Sequence, residues 1–204
     1  MLCARRAQAP AAEARFVRLH EVPMPRCFML TLALLAGIGA ALRAQQGTGG
    51  TGIIYGPDHA FSVTAPPGWI LDNQAGRADG LYAVFYRPGE SWRHAEAAMY
   101  VNTAQPGVDS IIRQDSLRFV ARYPGVQVTA RAAIKTQDSV TVPVRQFVGD
   151  SSGNVEAVAY VPETTVTPII VLTARSRLAF ENALPAFVEL VRSYHFISAH
   201  VEIK

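Results

Sequence analysis

An α+β domain, with a mainly antiparallel sheet covered by two main helices in an α/β/α sandwich, is the fold class this 204-residue sequence predicts. Three observations predict it. Eight short runs of β-type residues are bounded by Pro, Gly, Asn or Asp, two segments alone switch to helical spacing, and strands and helices do not alternate as β-α units. The last observation removes the doubly wound folds, in which a nucleotide sits at the carboxyl ends of parallel strands.

Residues 1–44 read as a signal peptide. An apolar run extends from Cys27 to Leu42, broken only by Thr31 and small residues, with Arg26 as its positive flank. Sixteen residues fall short of the roughly 20 that cross a bilayer, but they suit a secretory core. Cleavage after Ala41 or Ala44 would follow, and Met24-Pro25-Arg26 would make a more conventional start than Met1. The alternative is an uncleaved anchor, the one case in which the chain would hold to a membrane. Cys3 and Cys27 both lie in this leader, so the exported domain is expected to fold without a disulfide. Cys27 precedes the apolar run, which does not match lipid attachment at a cleavage-site cysteine. A free periplasmic or secreted product is expected.

Charge argues against nucleic acid. The chain carries 19 basic and 16 acidic residues; six Arg and two Glu of these fall in residues 1–44, leaving 13 basic against 14 acidic in the body. A body so near neutrality lacks the basic footprint that phosphate binding needs.

Residues 45–52 (QQGTGGTG) offer nothing to pack and are expected to be a linker, with a single domain over 53–204. Strands are expected at 61–64, 69–71, 81–86, 97–102, 126–135, 141–148, 155–161 and 169–174. Apolar residues recur at every second position in 126–131 and 140–147, which buries one face and leaves the other polar or covered. In the first helical segment, Asp109 could cap a stripe of Ile112, Ser116, Phe119 and Tyr123 that Pro124-Gly125 ends. In the second, Ser176 could cap a stripe of Phe180, Leu184, Phe187, Val191 and Tyr194 facing the sheet. Pro185 lies off that stripe and should kink the helix or mark its true first turn.

Several patterns invite a chemical reading. Residues 47–52 match G-x-G-x-x-G, but they follow a leader and precede extended residues, whereas a pyrophosphate needs a strand, the glycines and then a helix. Gly149-Asp150-Ser151-Ser152-Gly153 matches G-x-S-x-G, the strained turn that exposes a nucleophilic serine between a strand and a helix. Here it runs from strand to strand, so a hairpin loop is the expectation and a serine hydrolase using Ser151 the alternative. His195 and His200 follow Ser151 with no partner indicated. His59, His94, His195 and His200 lack metal-ligand spacing, and His200 with Glu202 would share a face only if the tail were a strand; surface polar residues are the reading, with no metal and no cofactor expected. Trp92, Arg93 and His94 lie together after Pro88-Gly89 as a candidate contact surface, against the simpler reading that Trp92 packs over a sheet edge.

Phe61-Ser62-Val63 with Pro67-Gly68-Trp69, Glu156-Ala157-Val158-Ala159-Tyr160, and Leu184-Pro185-Ala186-Phe187 closing at Ser193-Tyr194-His195-Phe196 resemble the PsbP-like superfamily across about residues 57–197. That superfamily includes a photosystem II extrinsic subunit and bacterial envelope proteins of the DcrB type. The resemblance implies the sandwich fold and no catalytic residue. The expectation is an exported, non-enzymatic binding or accessory protein that meets an envelope protein; a small-ligand or metal carrier is a further alternative.

Overall fold

The computed structural model describes residues 49–149 and 153–202. Its strands are β1 (Thr51–Gly56), β2 (His59–Thr64), β3 (Ile70–Asp72), β4 (Ala83–Tyr86), β5 (Ala97–Ala104), β6 (Gln127–Lys135), β7 (Thr141–Val148), β8 (Val155–Tyr160), β9 (Thr167–Ala174) and β10 (His195–Ser198), with helices α1 (Val108–Arg122) and α2 (Arg177–Arg192). They form a seven-stranded sheet, β3-β4-β5-β9-β8-β7-β6, and a three-stranded sheet, β1-β2-β10. Every described ladder is antiparallel.

Period-2 alternation explains why the large sheet is covered on both sides. From β8 and β9, Ala157, Ala159, Ile170 and Leu172 join one core with Phe180, Ala183, Phe187, Leu190 and Val191 of α2. The intervening residues Val158, Tyr160 and Val171 point the other way, onto Ile112 and Phe119 of α1. The inner face of the small sheet, Ile54, Phe61 and Val63, closes onto the α2 core, and the Phe61 and Tyr194 rings lie 5.2 Å apart.

One extra residue in β6 reverses its phase. Arg131 pairs with Val144 and Ile134 with Val142, so three steps along β6 match two along β7. The bulge lets Val128 face α1 opposite Phe147 while Ile134 faces α2 opposite Val142.

Other boundaries move for local reasons. β1 begins at Thr51, inside the stretch expected to be linker, because Thr51 and Gly52 pair with Thr64 and Val63. Val108 is already helical, so Asp109 is not the cap of α1; Gly107 takes that position at φ 116°, where a glycine is unstrained. Asp109 instead puts negative charge in the first turn, which suits the helix dipole. Ser176 does cap α2, its Oγ accepting from the Ala179 amide at 3.1 Å. Pro185 sits in the middle of α2 rather than in its first turn, exposed on the side away from the core. Tyr194 lies just beyond the end of α2 yet is fully buried, because Ser193 fastens the helix end to β2 by accepting from the Thr64 amide at 2.9 Å.

Candidate functional site

The large sheet's α1 face has two kinds of cover. Helix α1 lies over β9, β8 and β7, whereas the β3-β4-β5 end carries Ala75, Leu81 and Trp92 from two loops, packed on Ile70, Val84, Tyr86 and Ala98. Two open clefts lie along this face, and Asn154 lines both.

The first cleft, of about 520 Å³, has Ala98 of β5 and Thr173 of β9 in its floor, and Trp92, Arg93, Asp79 and Arg175 around it. Asp79 organises the wall. Its carboxylate accepts from Trp92 Nε1 at 3.2 Å and from Arg93 Nη2 at 3.1 Å to each oxygen. Arg175 fixes the backbone beneath, donating through Nη2 to the Arg93 carbonyl at 2.7 Å and through Nε to the Ala95 carbonyl at 3.1 Å. The Trp92 ring meets Tyr100 edge-on at 5.7 Å. Trp92 is half-buried, so one side packs on the sheet while another lines the cleft. His94 does not join them: it is exposed, and its amide closes a turn by donating to the Ser91 carbonyl at 3.0 Å.

The second cleft, about 420 Å³, lies between α1 and the sheet, with Asp115, Arg118 and Arg122 on the helix side and Tyr100 and Glu156 on the sheet side. Burial pushes the Asp115 carboxyl above its ordinary value, against the opposing hydrogen bond from Tyr160 at 3.1 Å and the Arg118 guanidinium at 3.8 Å. Burial, reinforced by nearby carboxylates, also pushes the Tyr100 and Tyr160 hydroxyls up, so both stay protonated and Tyr160 acts as a donor.

The remaining sequence candidates fall elsewhere. Ser151, with Asp150 and Ser152, lies outside the described residues; Val148 and Val155 on either side are an antiparallel pair, so the G-x-S-x-G stretch joins two strands of a hairpin. His59 is not a surface residue. It is buried beside Phe61 and Tyr82, with Nδ1 2.9 Å from Asp58 Oδ1. His195 has a partner that the sequence did not indicate, Asp138 Oδ1 at 2.7 Å, although the two are 57 positions apart. His200 and Glu202 do not share a strand, because β10 ends at Ser198, whose Oγ bonds with the His200 amide at 3.0 Å. Among the described residues no three His, Cys, Asp or Glu side chains converge as metal ligands.

Sequence reading missed Asp79 and Arg175 in the first cleft, and Tyr100 behind the Trp92 ring. An acid 13 and 14 positions before Trp92 and Arg93 is the only linear hint of Asp79, and it fits no periodicity.

The architecture places the chain in a fold class: an α+β sandwich with a PsbP-like fold. No family model matches the sequence, and no curated protein matches it. Among solved structures, the solution structure of cyanobacterial PsbP (CyanoP) from Synechocystis sp. PCC 6803 is similar at a TM-score of 0.50 and 12% identity, over 78% of this chain and 99% of that one. The Ran-binding protein Mog1p of Saccharomyces cerevisiae is similar at a TM-score of 0.45 and 15% identity, over 74% of this chain and 96% of its own. Likeness at this identity is likeness of fold, so any statement about function must come from the side chains.

Proposed function

We propose that this protein is an exported, non-enzymatic binding or accessory module of the cell envelope that meets a protein partner at the Trp92 cleft. One observation carries the reading: Trp92 and Arg93 are held side by side on a single carboxylate, above a backbone that Arg175 pins in two places. Tryptophan and arginine dominate the energetics of protein interfaces, and side chains ordered beforehand lose less entropy on docking. The export half of the proposal rests on the apolar run behind Arg26 and the small residues that follow it. No cofactor, metal or nucleic acid is part of the proposal.

The test is site-specific photo-crosslinking in the native envelope. A C-terminally tagged full chain carries benzoylphenylalanine either at the exposed His94, next to the Trp92 and Arg93 pair, or at the exposed Glu181 of α2. A discrete adduct with an envelope protein from position 94, absent from position 181 and lost on Trp92→Ala, is the expected result. Failure to obtain an adduct at 94, or the same adducts from both positions, overturns the proposal.

A further inference from the structure

We propose a second docking site, remote from the Trp92 cleft: the groove between β6 and α2 takes an extended, acidic segment of a partner protein, added as an eighth strand along the free edge of β6.

The backbone makes the first half of the argument. β6 is nine residues long and ends the sheet order, and among the described residues no further backbone hydrogen bond reaches Gln127–Lys135 from its outer side. Such an edge presents a row of unpaired donors and acceptors to any incoming strand. Ala132 and Ala133, both exposed at the bulge, put the smallest chiral side chains where a second backbone would approach.

Side chains select what can approach. The groove, of about 450 Å³, is floored by apolar residues including Ile134, Leu184 and Val188, and its charged members are Arg131, Lys135 and Arg192, with no carboxylate among its lining residues. Arg131 is held by neutral partners, donating to Gln146 Oε1 at 2.5 Å and lying 5.9 Å from the Phe180 ring centre. None of the three cations has an ion-pair partner among the described residues. A strand that carries both apolar and acidic residues on its groove-facing side would seat the first on this floor and set the second beside the cations. The same charges argue against a second copy of this chain, because antiparallel β6 edges would bring cations onto cations.

Fluorescence anisotropy with the full chain tests this, using as the probe a labelled eight-residue peptide in which valine pairs alternate with aspartate pairs, so that each face carries both residues. Saturable binding is expected, and the double variant Lys135→Glu with Arg192→Glu should weaken it roughly tenfold or more, the scale of one charge-assisted contact. A peptide N-methylated at every residue keeps its charge but has no N–H on either edge with which to join a ladder, so it should not bind; this control does not depend on how the variant folds. Equal binding of the methylated peptide, indifference to the double charge reversal, or occupancy by dodecanoate with no peptide binding would each overturn the proposal. The last outcome would make the groove an amphiphile site. Crosslinking at position 94 reads the other cleft, so either proposal can fail alone.

Discussion

Asp138, in the turn between β6 and β7, accepts from two successive residues of β10: His195 Nδ1 donates to Oδ1 at 2.7 Å, and the Phe196 amide donates to Oδ2 at 2.7 Å. A single carboxylate thereby joins a turn of the large sheet to a strand of the small one. Partial burial pushes this carboxyl up, but the bonds from His195 and Phe196, with the attraction of the imidazolium, outweigh it and hold its pKa below the ordinary value of 3.8.

The sign of the pH effect follows. The unfolded chain binds this proton more readily than the folded one, so the stabilisation is complete above pH 3.8 and is lost as the pH falls through the lower native value. Asp138→Ala is expected to lose roughly 1 kcal/mol at neutral pH. Urea midpoints for the variant and the parent should converge on acidification; a gap that persists unchanged into strong acid would show that the carboxylate charge is not what acts.

Helix α2 buries five residues where α1 buries one, and its first turn depends on Ser176, which accepts from the Ala179 amide at 3.1 Å. Ser176→Ala removes the one side-chain acceptor at that end and should cost about 1 kcal/mol, whereas Ser176→Asp should keep the cap. Thermal unfolding of the pair checks it. Equal melting temperatures for the Ala and Asp variants would mean that the cap contributes nothing.

What was legible in the sequence divides along physical lines. Strands buried on both faces carry dense apolar alternation, so β7 was read to the residue at Thr141–Val148, and β8 and β9 to within two. β1 and β10 were not read as strands. Each pairs only with β2, and their outward residues Ile53, Tyr55 and Ile197 are apolar yet exposed, which defeats any burial pattern. The bulge in β6 left no mark either, because Ala130-Arg131-Ala132-Ala133 contains neither a glycine nor a break in composition. In the candidate site, Trp92 and Arg93 were visible as residue types beside a turn. Asp79 and Arg175 became relevant only through tertiary contact, the latter across 82 positions.

Asp115 makes the opposite prediction to Asp138. Burial raises its pKa in the folded protein, so the folded state takes up the proton more readily than the unfolded one. Its ionisation therefore works against folding, and the penalty grows as the pH rises from below 3.8 through the raised native value. Asparagine at this position keeps an oxygen able to accept from Tyr160 and carries no charge to desolvate. Asp115→Asn should be as stable as the parent in acid and more stable at neutral pH, as measured by urea unfolding at the two extremes. A variant less stable at neutral pH than in acid, relative to the parent, would contradict the buried-carboxylate account.

The Asp79 carboxylate offers a test of the cleft that needs no partner. The chain has two tryptophans; Trp69 is 2% exposed in the α2 core, and Trp92 is half-buried at the cleft. Asp79→Ala removes the acceptor of the indole N–H and both bonds from Arg93, and exposed pairs of this kind are worth about 1 kcal/mol or less. Global stability should therefore change little. The freed indole should sample water more often, shifting emission to longer wavelength, while Trp92→Phe in the same background abolishes the shift and so assigns it to that ring. If docking depends on the pre-ordered pair, Asp79→Ala should also weaken crosslinking from position 94 without changing the melting temperature appreciably. An unshifted spectrum would mean that Tyr100 and the sheet alone hold the ring, and the entropic argument for this surface would lose its basis.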